Sequence, residues 1–164
     1  MSIERVLEEP CRLSESVAWE IQRRFFQTFG PSAWAEEIVP YYVTTNAYVA
    51  RCYARLIVAW VEDILDLDAD DGAAAIDPDE PIYVIELGAG TGRLSFLLSH
   101  ELAILSQERK LPRFRVVGTD FAEANIALWP DHPDLHRAFA EGRMDGAIFD
   151  ADFVPDGRHV QLPR

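Results

Sequence analysis

The chain reads VIELGAGTG over residues 84–92, where an apolar run meets three glycines at alternate positions, Gly88, Gly90 and Gly92. The run IYVIEL (82–87) is short and rich in branched side chains, which is typical of a strand buried on both faces. Leucines at helical spacing follow the glycines. The stretch therefore predicts a strand, a tight turn and a helix, and the backbone of the turn is open to close approach.

The same alternation continues along the chain. FRVVGTD (114–120) and DGAIFDAD (145–152) have the composition of two further strands, and the segment between them reads as two helical pieces divided at Pro130. Strand, helix, strand, helix, strand is the order of a parallel sheet with right-handed crossovers. We therefore expect an α/β fold.

The residues before the first strand have a helical pattern. Apolar side chains at i, i+4 spacing predict a helix within residues 13–32, which Ser14 or Ser16 can cap and Gly30–Pro31 ends. A longer helix is expected to follow, with Asn46 as its cap.

The longer helix is predicted over residues 47–65. It is apolar over much of its circumference, so we expect it to be buried on more than one side, with Cys52 and Trp60 in the core. The acidic, glycine- and proline-punctuated residues 66–81 predict a linker.

This linker divides the chain into an N-terminal helical region, 1–76, and an α/β region, 77–164. The charge is divided unevenly as well. Residues 1–80 carry 6 basic and 16 acidic side chains, and residues 81–164 carry 9 and 12. Because the net charge is −13 and no basic cluster exists, binding of nucleic acid through its phosphates is disfavoured.

Other classes of function are also disfavoured. No run approaches the roughly 18 apolar residues of a membrane span, and the first residues fit neither a secretory signal nor a transit peptide, so we expect a cytoplasmic protein with no membrane partner. Cys11 and Cys52 are expected to be reduced thiols. We expect no metal site, because the cysteines and histidines lack the spacing of metal ligands.

Three interpretations of the glycine turn can be compared. A phosphate-binding loop of the Walker type needs Lys followed by Ser or Thr, but Arg93 and Leu94 stand there. The dinucleotide fingerprint G-x-G-x-x-G fails by one residue, because its third glycine would fall at Arg93. The pattern that remains is E-x-G-x-G-x-G, beginning at Glu86.

This pattern resembles the first motif of class I S-adenosylmethionine (SAM)-dependent methyltransferases, and the resemblance extends over residues 82–152. It implies a Rossmann-like parallel three-layer sandwich, here incomplete with about three strands and preceded by a helical region. The implied cofactor is SAM. The implied cofactor-binding residues are Glu86, Gly88, Ala89, Gly90, Thr91, Gly92, Asp120, Phe121, Asp150 and Ala151.

The resemblance also implies roles for the carboxylates. Asp120 would accept hydrogen bonds from both ribose hydroxyls, Phe121 would lie near the adenine, and the pair Asp150–Ala151 would contact the adenine edge. Glu86 suits a ligand that bears an ammonium and a sulfonium group. Because carboxyl ends of parallel strands share one edge of a sheet, these side chains are expected to lie close together.

A substrate role is predicted for hydroxyls on the non-helical segment before the long helix: Tyr41, Tyr42, Thr44 and Thr45. The alternative for this segment is aromatic packing and a helix cap. No catalytic residue is identified, because the carboxylates are assigned to the cofactor and nothing indicates the methyl acceptor.

The resembling family has about seven strands, and this chain accounts for three. Without a fourth strand, residues 82–87 would form an exposed apolar edge, which favours self-association or a partner. We therefore expect the chain to be a fragment of a longer protein, a fold completed by another copy or a partner, or a degenerate remnant. The predicted activity is methyl transfer by in-line displacement. The alternative is a non-catalytic SAM-binding or protein-interaction module.

Overall fold

The computed structural model describes residues 7–40, 42–71, 76–77 and 79–151. These residues form helices and one three-stranded, all-parallel open sheet. After a 3₁₀ turn at Leu13–Glu15, the elements are α1 (Val17–Phe29), α2 (Ser32–Ala35), α3 (Ala47–Asp71), β1 (Ile82–Leu87), α4 (Arg93–Arg109), β2 (Phe114–Asp120), α5 (Glu123–Leu128), α6 (His136–Ala140) and β3 (Met144–Ile148). None of the helices in these ranges is long and apolar enough to cross a membrane.

The strand order is β1-β2-β3, so β1 lies at an edge of the described sheet. The bounds of β1 and β2 agree with the predicted strands. The third strand runs from Met144 to Ile148 and ends four residues before the predicted bound. Just beyond the strand, Phe149 still donates its backbone N–H to the Asp120 carbonyl at 3.0 Å, and the next side chain, Asp150, pairs with Arg23 on α1.

One face of the sheet packs against helices. A first core cluster joins α3, α4 and β2 through Ala54, Val58, Val61, Leu98, Leu102, Phe114 and Val116. A second cluster lies toward α6 and β3 and contains Ala89, Trp129, Leu135, Ala138 and Met144. Helix α4 contacts both α3 and β2, so the helix that follows the glycine turn also supports the first core cluster.

The opposite face of β1 is exposed. Side chains alternate along the strand, and Tyr83, Ile85 and Leu87 are exposed while Ile82 and Val84 pack on the first core cluster. The prediction that this strand is buried on both faces was wrong. The exposed edge expected for a sheet without a fourth strand is present among the described residues.

The predicted limits of the first helix are confirmed. The Ser16 hydroxyl accepts a hydrogen bond from the Ala18 N–H at 3.1 Å, and the Glu8 carboxylate accepts one from the Val17 N–H at 2.8 Å. The helix ends at Gly30, which has a positive φ of 49°. A side chain at Gly30 would be strained there, so a glycine is suited to this turn.

The predicted cap of the long helix is also confirmed, because Asn46 Oδ1 accepts from the Val49 N–H at 3.0 Å. The helix, however, continues through Asp71, so the first part of the predicted linker is helical. The prediction that this helix is buried on more than one side was wrong. The described element that packs on α3 is α4, and Cys52 and Trp60 face solvent instead of the core.

Replacement of Leu102 by Ala should lower the free energy of unfolding by about 2–5 kcal/mol, because this side chain is fully buried between α3 and the sheet. Ile104→Ala on the same helix is the matched control, since Ile104 is exposed and its loss should cost about 0.5 kcal/mol or less. Urea denaturation followed by circular dichroism measures both. Equal losses would contradict the assignment of the core face of α4.

Candidate functional site

The glycine turn between β1 and α4 is built from left-handed backbone. Gly88, Gly90 and Gly92 have φ values of +68°, +56° and +72°. Side chains with a Cβ are disfavoured in this region, so each alternate glycine is required by the path of the chain. Thr91 and Ala89 occupy the ordinary conformations between them, and Ala89 packs in the second core cluster.

The three glycines differ in what surrounds them. A Cβ at Gly90 would lie 2.8 Å from Trp34 Cζ2, and one at Gly92 would lie 3.2 Å from the Trp129 indole. At Gly88 no described atom lies within 4 Å of that position. Close packing therefore adds a second reason for glycine at two positions, whereas Gly88 has open space above it.

Asp120 at the end of β2 holds the turn in place. Its Oδ2 accepts a hydrogen bond from the Gly90 N–H at 2.8 Å, and its Oδ1 accepts one from the Ala122 N–H at 2.9 Å. The residue is 5% exposed. Each carboxylate oxygen can accept a further bond, so Asp120 can position the turn and still accept from a ligand hydroxyl.

Glu86 at the end of β1 is turned toward α4, where its Oε2 accepts a short hydrogen bond from the Ser95 hydroxyl. Burial raises the pKa of the Glu86 carboxyl, the Ser95 hydrogen bond opposes that rise, and the negative charge of Asp120 adds to it. Ionisation of Glu86 therefore lowers the stability of the folded chain, and a nearby cation would reduce this loss.

A cleft of about 810 Å³ lies at the carboxyl edge of the sheet. The strand ends contribute Gly88, Gly90, Asp120, Phe121, Asp150 and Ala151 to its lining. The helices before the sheet contribute Trp19, Arg23, Phe26 and Trp34. The cleft thus combines carboxylates, open glycine backbone and aromatic rings, as the predicted convergence at this edge requires.

Arg23 of α1 reaches into this cleft and meets two predicted cofactor residues. Its guanidinium donates to both carboxylate oxygens of Asp150, at 2.6 Å and 2.8 Å, and its Cζ lies 4.8 Å from the centre of the Phe121 ring. A planar bidentate pair of this kind is specific in geometry. The Asp150 carboxylate therefore already has a cation as its partner in this structure.

A second cavity of about 490 Å³ lies on the other side of Trp34 and Asn125, which line both spaces. Its walls are mainly apolar, with Phe96, Leu128 and Trp129 among them. Asn125 on α5 is 1% exposed, and its Oδ1 and Nδ2 have no hydrogen-bond partner in the part of the chain that the structure describes. An unpaired buried amide costs about 1–3 kcal/mol, so this side chain carries an unused donor and an unused acceptor between two cavities.

The described residues of the predicted substrate segment do not line the cleft. Tyr41 lies outside the described residues, Tyr42 and Thr44 are exposed, and Thr45 is half-buried. Neither described cavity has Tyr42, Thr44 or Thr45 among its lining residues. In this segment the geometry matches the alternative, in which the residues before α3 form its cap: the Asn46 side chain donates to the Tyr42 carbonyl at 3.0 Å.

Six of the ten predicted cofactor residues line the cleft: Gly88, Gly90, Asp120, Phe121, Asp150 and Ala151. Thr91 lines the second cavity instead, and Glu86, Ala89 and Gly92 line neither cavity. The sequence analysis missed Arg23, Trp34 and Asn125. Asparagine is a poor choice inside a helix, which was an available signal for Asn125, whereas an arginine on an amphipathic helix gives no sign of a partner 127 residues away.

Comparisons of this chain with protein-family models, with curated proteins and with solved structures found no match. The chemistry of the site is therefore inferred from its own residues. Those residues form an acidic, partly aromatic cleft with a fixed glycine turn at the carboxyl edge of a parallel sheet.

Glu86→Gln should raise the melting temperature at neutral pH. Because the pKa of Glu86 is raised in the folded state, the wild-type chain binds more protons folded than unfolded, and it loses stability as the pH rises from the ordinary carboxyl range through the raised pKa. Glutamine has no such loss, so the two chains should converge at pH values below about 4. Differential scanning calorimetry across a pH series measures this, and a gap that does not depend on pH would contradict it.

Asn125→Leu should stabilise the chain by about 1–2 kcal/mol, because leucine has a similar volume and no unpaired polar atoms. Asn46→Leu is the matched control: it removes a bonded helix cap and should cost about 0.5–2 kcal/mol. Chemical denaturation measures both. A loss of stability in Asn125→Leu would show that the buried amide has a partner in solution.

Proposed function

We propose that this chain binds S-adenosylmethionine in the cleft at the carboxyl edge of its sheet, as the cofactor-binding half of a Rossmann-like class I methyltransferase domain. The observation that carries the proposal is the fixed glycine turn, with open space over Gly88 and with the Asp120 carboxylate directly beside it. A turn without a ligand has no need for an open position of this kind beside a cleft of about 810 Å³.

The charges of the cleft favour a cation of this class. The chain has a net charge of −13, and a carboxylate lies at or near the carboxyl end of each of the three described strands. Because burial and Asp120 raise the pKa of Glu86, a cationic ammonium or sulfonium nearby would stabilise its ionised form. An anionic phosphate would meet the same carboxylates unfavourably, which disfavours a nucleotide.

The adenosyl group has matching partners in the cleft. The Asp120 oxygens retain acceptor capacity for ribose hydroxyls, and Phe121 offers a ring face for a base. Arg23 now lies over that ring and pairs with Asp150, so a base that stacks on Phe121 has to displace the guanidinium or share the ring with it. Helix α1 would then act as a cover of the cofactor site.

The reaction proposed is an in-line displacement at the sulfonium methyl group. A lone pair of the acceptor forms the new bond to the methyl carbon while the carbon–sulfur bond breaks, and the electron pair stays on sulfur as a neutral thioether. Positioning of the acceptor opposite the leaving sulfur accounts for most of such catalysis. The acceptor and any general base remain unassigned, because the described residues of the cleft are matched to the cofactor.

The test is a calorimetric titration of the 164-residue chain with S-adenosylhomocysteine. We expect saturable binding at one site. Gly88→Ala should weaken it at least about tenfold, because the methyl group enters the open space of the cleft and the positive φ strains the turn by about 1 kcal/mol.

Gly142→Ala is the matched control. Gly142 has a φ of +66°, and it precedes β3 at the opposite edge of the sheet, where a Cβ would meet only the movable end of Arg115. This variant should lose similar stability and keep its affinity. Equal weakening in both variants, or no heat from the folded wild-type chain, would overturn the proposal.

Asp120→Ala would not test the proposed ribose contact alone. It removes the acceptor of the Gly90 and Ala122 N–H groups, so it is expected to disturb the turn as well as any ribose contact. A loss of binding in this variant alone would not distinguish the two effects.

The second candidate function is a non-catalytic interaction module. The position of β1 at an edge of the described sheet favours it, because the backbone groups of such an edge can pair with a strand of another chain or a second copy. The exposed side chains Tyr83, Ile85 and Leu87 add an apolar surface on the same strand. This candidate predicts a folded chain that gives no heat with S-adenosylhomocysteine.

A further inference from the structure

The face of α3 that points away from α4 is apolar and exposed. Tyr48, Cys52, Leu56 and Trp60 recur at every fourth position, and Leu67 continues the same line one heptad beyond Trp60. Tyr48, Leu56 and Trp60 are 76%, 68% and 61% exposed. We call these five residues the outer stripe.

The outer stripe is long enough to accept another helix. Its ends, Tyr48 and Leu67, are separated by about 29 Å along the axis at a rise of 1.5 Å per residue. Two aromatic and two leucine side chains are exposed along this length, and exposed apolar patches on soluble proteins are often functional. The opposite side of α3 is already occupied by α4.

The charges along α3 change sign from one end to the other. Arg51 and Arg55 lie in the first half of the helix, and Glu62, Asp63 and Asp66 lie in the second half. Arg51 pairs with Glu101 and Glu62 pairs with Arg109, both on α4.

The exposed charges on this face are therefore Arg55 toward the beginning of the stripe, Asp63 between Trp60 and Leu67, and Asp66 beside its end. A partner helix whose acidic and basic residues run in the opposite order would suit this pattern. A second copy of α3 in antiparallel orientation provides one, because its acidic half lies against the basic half of the first copy. A parallel copy would place like charges together. The antiparallel helix dipoles also attract each other at their ends.

We infer that the chain self-associates through the outer stripe, as a two-fold symmetric dimer with antiparallel α3 helices. An interface of this kind uses the same surface on both copies, which the self-complementary charge pattern requires. None of the five stripe residues lines the described cleft, so this inference does not depend on the proposed cofactor.

The first test is the molar mass of the 164-residue chain by sedimentation over a concentration series. We expect reversible association to twice the monomer mass of 18.5 kDa. Leu56→Glu and Trp60→Glu should each raise the dissociation constant at least about tenfold, because a buried unpaired charge opposes association. Ile85→Glu on the exposed face of β1 is the matched control and should leave association unchanged.

A charge exchange tests the orientation. Arg55→Glu should weaken association. Adding Asp63→Arg in the same chain should restore much of it, because the double variant reverses the order of the charges along α3 and the antiparallel copies again place opposite charges together. Circular dichroism verifies that the variants are folded. The inference is overturned by a monomer at every concentration, by association that Ile85→Glu abolishes and Leu56→Glu does not, or by a double variant no stronger than Arg55→Glu.

Discussion

The buried carboxylate of Asp120 connects the two loops that form the candidate site. It accepts from the Gly90 N–H of the turn after β1 and from the Ala122 N–H at the start of α5. A carboxylate that accepts backbone N–H groups forms stronger hydrogen bonds than a neutral acceptor does, and removing it would leave two donors unpaired. Two further bonds hold the same junction: Ala89 N–H to the Thr119 carbonyl at 2.8 Å and Trp129 Nε1–H to the Gly90 carbonyl at 3.2 Å.

This junction explains why the glycines after β1 have different surroundings. Gly90 is held between Asp120 and Trp129 and lies against Trp34, so its own backbone groups are already used inside the protein. Gly88 has a positive φ and open space instead. The turn is therefore fixed by one glycine and open at another, which is the arrangement needed to bring a ligand against the main chain without rearranging it.

The strands and the site edge could be predicted because their signals are local. An apolar β run, alternate glycines and an acidic residue near a strand end lie within a few positions of each other, and β1 and β2 have the predicted bounds. Contacts between distant residues could not be predicted in this way. The Arg23–Asp150 pair spans 127 positions, and which side of α3 would be buried depended on where α4 lies. An apolar surface shows that a helix can be buried, but not that a partner is present in the same chain.

The three carboxylates of the site do not have equal electrostatic partners, and this bears on which part of a ligand each could bind. Asp150 is paired with the Arg23 guanidinium, so an amine placed there competes with a bidentate ion pair. Glu86 instead feels the negative charge of Asp120, and burial raises its pKa further. A cation that approaches the turn beside Asp120, which lines the cleft, would also reduce the repulsion between Asp120 and the more distant Glu86, whereas one that approaches Asp150 must first replace an attraction. The cationic part of a ligand is therefore favoured at the β1 end of the cleft, and the β3 end is left for a neutral group that can lie beside Arg23 and Phe121.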